Sequence, residues 1–221
     1  MERIPEPELM NEPGQALAYA RADFEEPHAR FVALYRERFG ASPTAGWVLD
    51  LGCGPADITR RFAIAYPDCR LHGVDGAPEM LRLGRHDLQR AGLDERVELL
   101  QGYLPGARLP RTDYQAVISN SLLHHLAEPM ALWTAVREFA APGAPVFVMD
   151  LMRPDSRRQA ETMVDAYAAG EPDVLRRDFF HSLLAAYTPG EVRTQLDAAG
   201  LDRLSVETVS DRHLIVHGHA G

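Results

Sequence analysis

The stretch Gly46-Trp47-Val48-Leu49-Asp50-Leu51-Gly52-Cys53-Gly54-Pro55-Ala56-Asp57-Ile58 constrains the fold more than any other part of the chain. An apolar run is interrupted by one acid and followed by two glycines, two positions apart. From Ile58 to Tyr66 the pattern turns helical. The stretch predicts a buried strand, a tight turn and a helix N-terminus, the junction at which ligands bind in open α/β sheets. Glycine lets the backbone turn with positive φ and lets a ligand approach where a Cβ would block it. A dinucleotide-binding turn, G-x-G-x-x-G, would need its third glycine at position 57, where Asp57 stands. An anionic side chain there competes with a phosphate for the helix N–H groups. The turn therefore suits a nucleoside ligand without phosphates, carrying a positive charge that Asp50 can face.

The rest of the chain repeats the strand–helix alternation. Pro67-Asp68 ends the first helix, and Arg70–Asp75 reads as a second strand that ends in an acid. Pro78-Glu79 opens a helix that stops at Gly92. Val97–Gln101 is a third strand, followed by Gly102-Tyr103. Tyr114–Ser119 is a fourth, capped by Asn120-Ser121, with a helix over 129–140 and a fifth strand at Val146–Asp150. Five strands alternating with helices imply a parallel sheet with right-handed crossovers. Before them, Phe31, Leu34 and Tyr35 at i, i+3 and i+4 mark a helical stripe, and Pro27 divides it into helices over 15–24 and 27–39. Residues 1–14, rich in Pro and Glu, are expected to order only by folding over a site. The region 153–187 is helical, holds no strand and carries Arg153, Arg157, Arg158, Arg176 and Arg177. Thr188 with Glu191 is a capping box. Leu204–Val209 and Leu214–Val216 form a final antiparallel pair.

Bulk properties narrow the partners. The 221 residues fit one domain, divided as a helical cap (1–40), a cofactor-binding core (41–151), a helical insertion (152–187) and a C-terminal helix with a strand pair (188–221). The formal charge of −9 argues against nucleic-acid and membrane-surface binding. Two cysteines without C-x-x-C spacing suggest a reducing, cytoplasmic setting, and the N-terminus lacks a signal-peptide pattern. Oligomeric state leaves no mark in the sequence.

The motif Val48–Gly54, the acid at Asp75 within Gly73–Leu81, the segment Asn120–Leu126 and Pro142-Gly143 together resemble the class I S-adenosylmethionine-dependent methyltransferases, the small type 11/12 methyltransferase-domain proteins in particular. The likeness covers residues 45–151 strongly and 188–218 in outline. It implies a Rossmann-like, doubly wound, seven-stranded α/β sheet, mostly parallel with an antiparallel C-terminal strand, and a cytoplasmic enzyme. It also implies S-adenosyl-L-methionine as cofactor, S-adenosyl-L-homocysteine as product and a small-molecule methyl acceptor.

Site roles follow from the same resemblance. Gly52, Cys53 and Gly54 would pass the cofactor's methionine and ribose, Asp50 would hold its ammonium, and Asp75, beside Gly76, would accept from the ribose hydroxyls. Met80, Gly102 and Tyr103 would flank the adenine, with Tyr103 where many relatives have an acid. Asn120 and Ser121 would stand at the methionine end. His124 is the candidate base and Tyr19 a candidate lining residue of the catalytic pocket, while His125 reads as structural. Arg153 and His181 would belong to an anion pocket for a carboxylate-bearing acceptor. The competing plain reading makes the insertion's arginines a solvated face. No metal is expected: His213, His217 and His219 share a strand face but lie in a tail, and the acid–acid–Asn set of metal-dependent catechol-type enzymes is not evident. Two other functions compete, a cofactor-binding accessory protein without transfer activity and a nicotinamide-dependent oxidoreductase, which Asp57 disfavours.

Overall fold

The computed structural model describes residues 1–6, 13–22 and 24–221. Strands β1 (Gly46–Leu51), β2 (Cys69–Asp75), β3 (Val97–Gln101), β4 (Ala116–Asn120), β5 (Pro145–Leu151), β6 (Leu204–Thr208) and β7 (His213–His219) form a seven-stranded sheet in the order β3-β2-β1-β4-β5-β7-β6. Strands β1 to β5 pair in parallel, and β7 runs antiparallel to both β5 and β6. The order reverses between β1 and β4. At that switch point the two loops leave the sheet in opposite directions and open a crevice.

Strand residues alternate between two cores, as a period of two requires. Leu49, Leu51, Val117, Val146 and Val148 face α5 (Met130–Phe139) and α8 (Pro189–Ala199), where Trp133 is fully buried. Val48, Leu71, Ile118, Phe147 and Met149 face α2 (Glu25–Phe39), α3 (Asp57–Ala65) and α4 (Pro78–Arg90) through Phe31, Tyr35, Phe62 and Leu81. Removing a large side chain from such a core costs about 3–5 kcal/mol.

Helix α1 (Pro13–Arg21) precedes α2. The division between them lies ahead of Glu25, not at Pro27, which sits within the first turn of α2. There a proline loses no helical hydrogen bond, because first-turn N–H groups have no partner in the helix. Tyr114 makes only an isolated bridge to Ala140, so β4 starts two residues later than the apolar run suggests. Strand β7 runs on to His219, three residues beyond the expected Val216.

The insertion forms α6 (Arg157–Tyr167) and α7 (Asp173–Ala185) around its own small cluster of Leu151, Ala160, Met163, Val164, Leu183 and Leu184. Its two ends meet at a bridge between Met152 and Tyr187. Thr188 and Glu191 form the expected capping box of α8.

Residues 1–6 lie across this region. The Ile4 N–H donates to Leu184 O (3.0 Å). The Arg3 guanidinium stacks 4.1 Å over the Tyr187 ring and donates to the carbonyls of His124 (2.9 Å), Leu126 (3.1 Å) and Ala185. The expectation for residues 7–12 lies outside the described residues.

Candidate active site

A cavity of about 330 Å³ opens at the carboxyl ends of β1, β2 and β4, at the switch point. Its floor is the turn after β1. Gly52 has φ +72°, and a Cβ there would strike the Leu122 side chain at 2.8 Å. Gly54 has φ +51° and faces open space, so a side chain there would project where a ligand must lie. Ala56 also takes a left-handed conformation, φ 64°, although it is not glycine. The position keeps the backbone demand and pays the steric penalty of a methyl group.

Two acids face this cavity in different states. Asp50 is 1% exposed, and the Thr59 hydroxyl donates to its Oδ2 at 2.6 Å. Burial pushes its pKa up to about 7, against the Thr59 bond and with a further push from the charge of Asp75. Such a carboxyl lacks a cation. Asp75 ends β2, with Oδ2 accepting from Gly54 N (2.9 Å) and Oδ1 from Ala77 N (2.8 Å). Burial raises its pKa and the two amides oppose the rise. Each oxygen keeps a further acceptor site, so the locked carboxylate can receive a vicinal diol. Met80, 4% exposed, packs against Ala77 and the Tyr19 ring on one wall, and Gly76, Gly102, Tyr103, Asn120 and Ser121 complete the lining. Cys53 is also on the wall, its thiol pushed up by burial and by Asp50 and Asp75. The set fits an adenosyl group that carries a positive charge.

Asp57 has another task. It starts α3 and binds His28 Nδ1 (2.7 Å), Arg60 (2.7 Å) and Arg61 (2.6 Å). Burial alone would raise its pKa, but these partners hold it well below the carboxylate range. Arg61 also reaches Glu25 at 2.6 Å, so α2 is latched to α3 at the cavity mouth.

A second cavity of about 470 Å³ adjoins the first and shares Tyr19, Phe24, His28, Asn120, Ser121 and His125 with it. Its far wall comes from the insertion, through Tyr167, Glu171, Asp178 and Phe179, and from Arg212 and His213. The Arg212 guanidinium lies 3.4 Å over the Tyr167 ring, 3.2 Å from Asp211 and 3.7 Å from Glu26. Burial and Arg212 bring His213 down to about 4, so it is neutral. Burial and three nearby acids push Tyr19 up to about 12, which makes its hydroxyl a donor rather than a base at neutral pH.

His124, 3% exposed, holds Asp150 Oδ1 at 2.5 Å through Nδ1, and its Nε2 lies 3.6 Å from Glu6. Burial opposes its positive charge, but Asp150 and Glu6 outweigh that and raise its pKa. His125, read from the sequence as structural, lines both cavities.

The expected anion pocket is not where the sequence reading put it. Arg153 lines neither cavity; its buried guanidinium is taken by Glu191 (2.6 Å) and Ala186 O (3.2 Å), and it fastens the foot of the insertion to α8. His181 is exposed on α7 and outside both linings. Arg176 pairs with Asp165, and Arg157 covers Phe180. The histidines of β7 disperse: His213 faces the second cavity, His217 pairs with Glu207 and His219 meets Phe39 edge-to-face. Sequence reasoning missed Glu6, His28, Asp150, Tyr167 and Arg212, none of which stands in a local pattern.

Comparisons with known proteins agree with this geometry. A family model described as a methyltransferase domain matches residues 48–143. A trans-aconitate 2-methyltransferase of Rhodococcus jostii is 30% identical, over 53% of this chain and 52% of its own. An uncharacterized methyltransferase of Mycobacterium bovis is 24% identical over 67% and 73%. The chain spans about half the length of the first of these relatives, and 35% of the Mycobacterium tuberculosis enzyme of the same name. Among solved structures, a SAM-dependent methyltransferase from Aquifex aeolicus superposes with a TM-score of 0.69 at 18% identity, covering 95% of this chain and 99% of that one. The plantazolicin methyltransferase bound to SAH gives 0.71 at 13%, covering 95% and 91%.

Proposed function

We propose that the chain is a class I S-adenosylmethionine-dependent methyltransferase and that it transfers the cofactor's methyl group to a small, carboxylate-bearing acceptor in the second cavity, a reading supported by the matching methyltransferase-domain model, the named relatives and the shared fold. The observation that carries the reading is the pairing of Asp75, locked by two amides, with the cation-seeking Asp50 across one glycine turn.

When bound, the cofactor supplies an electrophilic methyl group on a sulfonium. The chain's part is to bind, orient and exclude water. Asp75 receives the ribose hydroxyls and Asp50 the ammonium. The left-handed turn at Gly52 and Gly54 keeps side chains out of the way, and Met80 packs the adenine side. Tyr19, Phe24 and His28, shared by both cavities, stand where the sulfur and the acceptor would meet. Holding two reactants in line can supply about 7–11 kcal/mol of the barrier in favourable cases, without a base. His124, the candidate base, has Nδ1 on Asp150 and Nε2 turned to Glu6, so both ring nitrogens are engaged and the transfer is assigned no base there.

A carboxylate-bearing acceptor is supported by Arg212 on the cavity wall and by relatives named for trans-aconitate. Arg212, rather than Arg153 or His181, is its proposed anchor. Calorimetry with S-adenosylmethionine and S-adenosylhomocysteine tests the cofactor half, with binding expected and Asp75→Ala expected to abolish it. Methyl-labelled cofactor, offered with separate panels of carboxylic acids and neutral metabolites, tests the rest. Label in neutral acceptors alone removes the carboxylate, and no label in any acceptor removes the transfer reading.

A further inference from the structure

We propose that Glu6, His124 and His125 form a site for one divalent metal ion of the zinc type, set where the two cavities adjoin. One carboxylate and two imidazoles converge from segments more than a hundred residues apart. Glu6 Oε1 lies 3.1 Å from His125 Nδ1 and 3.6 Å from His124 Nε2, and the three ligand atoms all lie within 4.8 Å of one another. Donors about 2.0–2.1 Å from a tetrahedral zinc ion are separated by about 3.3 Å, close to these spacings.

The surroundings are those of a ligand set. Asp150 Oδ1 takes Nδ1 of His124 at 2.5 Å and so leaves Nε2 for the cluster. A carboxylate behind a ligating histidine fixes its tautomer and ring orientation. Asp150 is itself held, by Leu123 N and Leu151 N, each at 2.7 Å. The Ser182 hydroxyl donates to Glu6 Oε1 at 3.0 Å. Nδ1 of His125 is sealed from solvent and makes no aligned hydrogen bond, despite its nearness to Glu6. A buried ring nitrogen without a partner is costly, and a metal would satisfy it. Arg3 is the nearby cation, and it is engaged by three backbone carbonyls. Nitrogen and oxygen donors in this two-histidine, one-carboxylate arrangement suit zinc or iron(II) better than magnesium or calcium.

Three protein ligands leave a coordination position open. His124, His125 and Ser182 line the second cavity, so that position faces the acceptor side. An acceptor oxygen could occupy it; this last step rests on the transfer reading above, whereas metal binding does not. The alternative is a purely ionic cluster in which protonated His124 bridges Asp150 and Glu6 and ties down residues 1–6.

Tag-free protein, stripped with a chelator, is titrated with zinc chloride by calorimetry, and its metal content is measured after desalting. The expected result is one zinc per chain, with affinity at least about tenfold weaker in both Glu6→Gln and His125→Gln. Absence of uptake by the wild type, or uptake unchanged in either variant, overturns the proposal. A cooperative thermal unfolding transition, followed by circular dichroism, confirms that each variant is folded. A chain that binds S-adenosylhomocysteine without zinc refutes the metal site and leaves the transfer reading standing.

Discussion

Cofactor binding should expel a proton from Asp50. Burial raises this carboxyl from 3.8 to about 7. At 1.36 kcal/mol per pKa unit, the neutral form is favoured by about 4 kcal/mol relative to water. A cation placed beside Asp50 restores the carboxylate, so affinity is linked to pH. A group with this pKa is about 90% protonated at pH 6 and about 10% at pH 8, so S-adenosylhomocysteine should bind about tenfold more tightly at pH 8. The logarithmic slope approaches one below pH 7 and flattens above. For folding stability the sign is opposite. A raised acid pKa contributes stability that is full below about pH 4 and is lost as pH rises through about 7. Calorimetry in two buffers of different ionisation heat counts the protons released. Asp50→Asn keeps an oxygen for the Thr59 hydroxyl and leaves Asp75, with any slope of its own, in place. A wild-type slope of zero, or an Asn variant with the full wild-type slope, would refute the reasoning.

Other perturbations separate the remaining parts. Gly54→Val should leave a folded chain with lower stability by about 1–2 kcal/mol and no measurable cofactor binding, because φ is +51° and the new side chain fills the cavity floor. Ala56→Val places a branched side chain in the left-handed region and should lower Tm by about 5 °C, read by scanning calorimetry; an unchanged Tm would deny the strain. Asp57→Asn should weaken the latch of His28 and Arg61, costing about 1–3 kcal/mol of stability in urea denaturation. Arg212→Gln should raise KM for an anionic acceptor at least about tenfold and leave S-adenosylhomocysteine affinity unchanged; an unchanged KM would remove Arg212 as the anchor.

The lining of the first cavity could be read in the sequence because its parts are local. The turn, the acid ending β2 and the segment after β4 each follow directly from a strand end, and strand ends on one sheet edge converge. The second cavity has no such rule. Glu6, His28, Tyr167 and Arg212 come from separate segments and meet only through packing. Arg153 misled for a physical reason: the arginine-rich run suggests an anion site, but Glu191, fixed by its capping box, lies within reach of that guanidinium. Pro27 misled because proline both breaks helices and fits their first turn.

The bridge between Met152 and Tyr187 makes the insertion interchangeable. The segment leaves and rejoins the fold at adjacent points and packs around a cluster of its own. Its replacement by a different helical pair would leave the pairing of β5 with β4 and β7 untouched. The cavity at the sheet edge and the wall that the insertion lends to the second cavity can then drift separately, the latter as a graftable cassette.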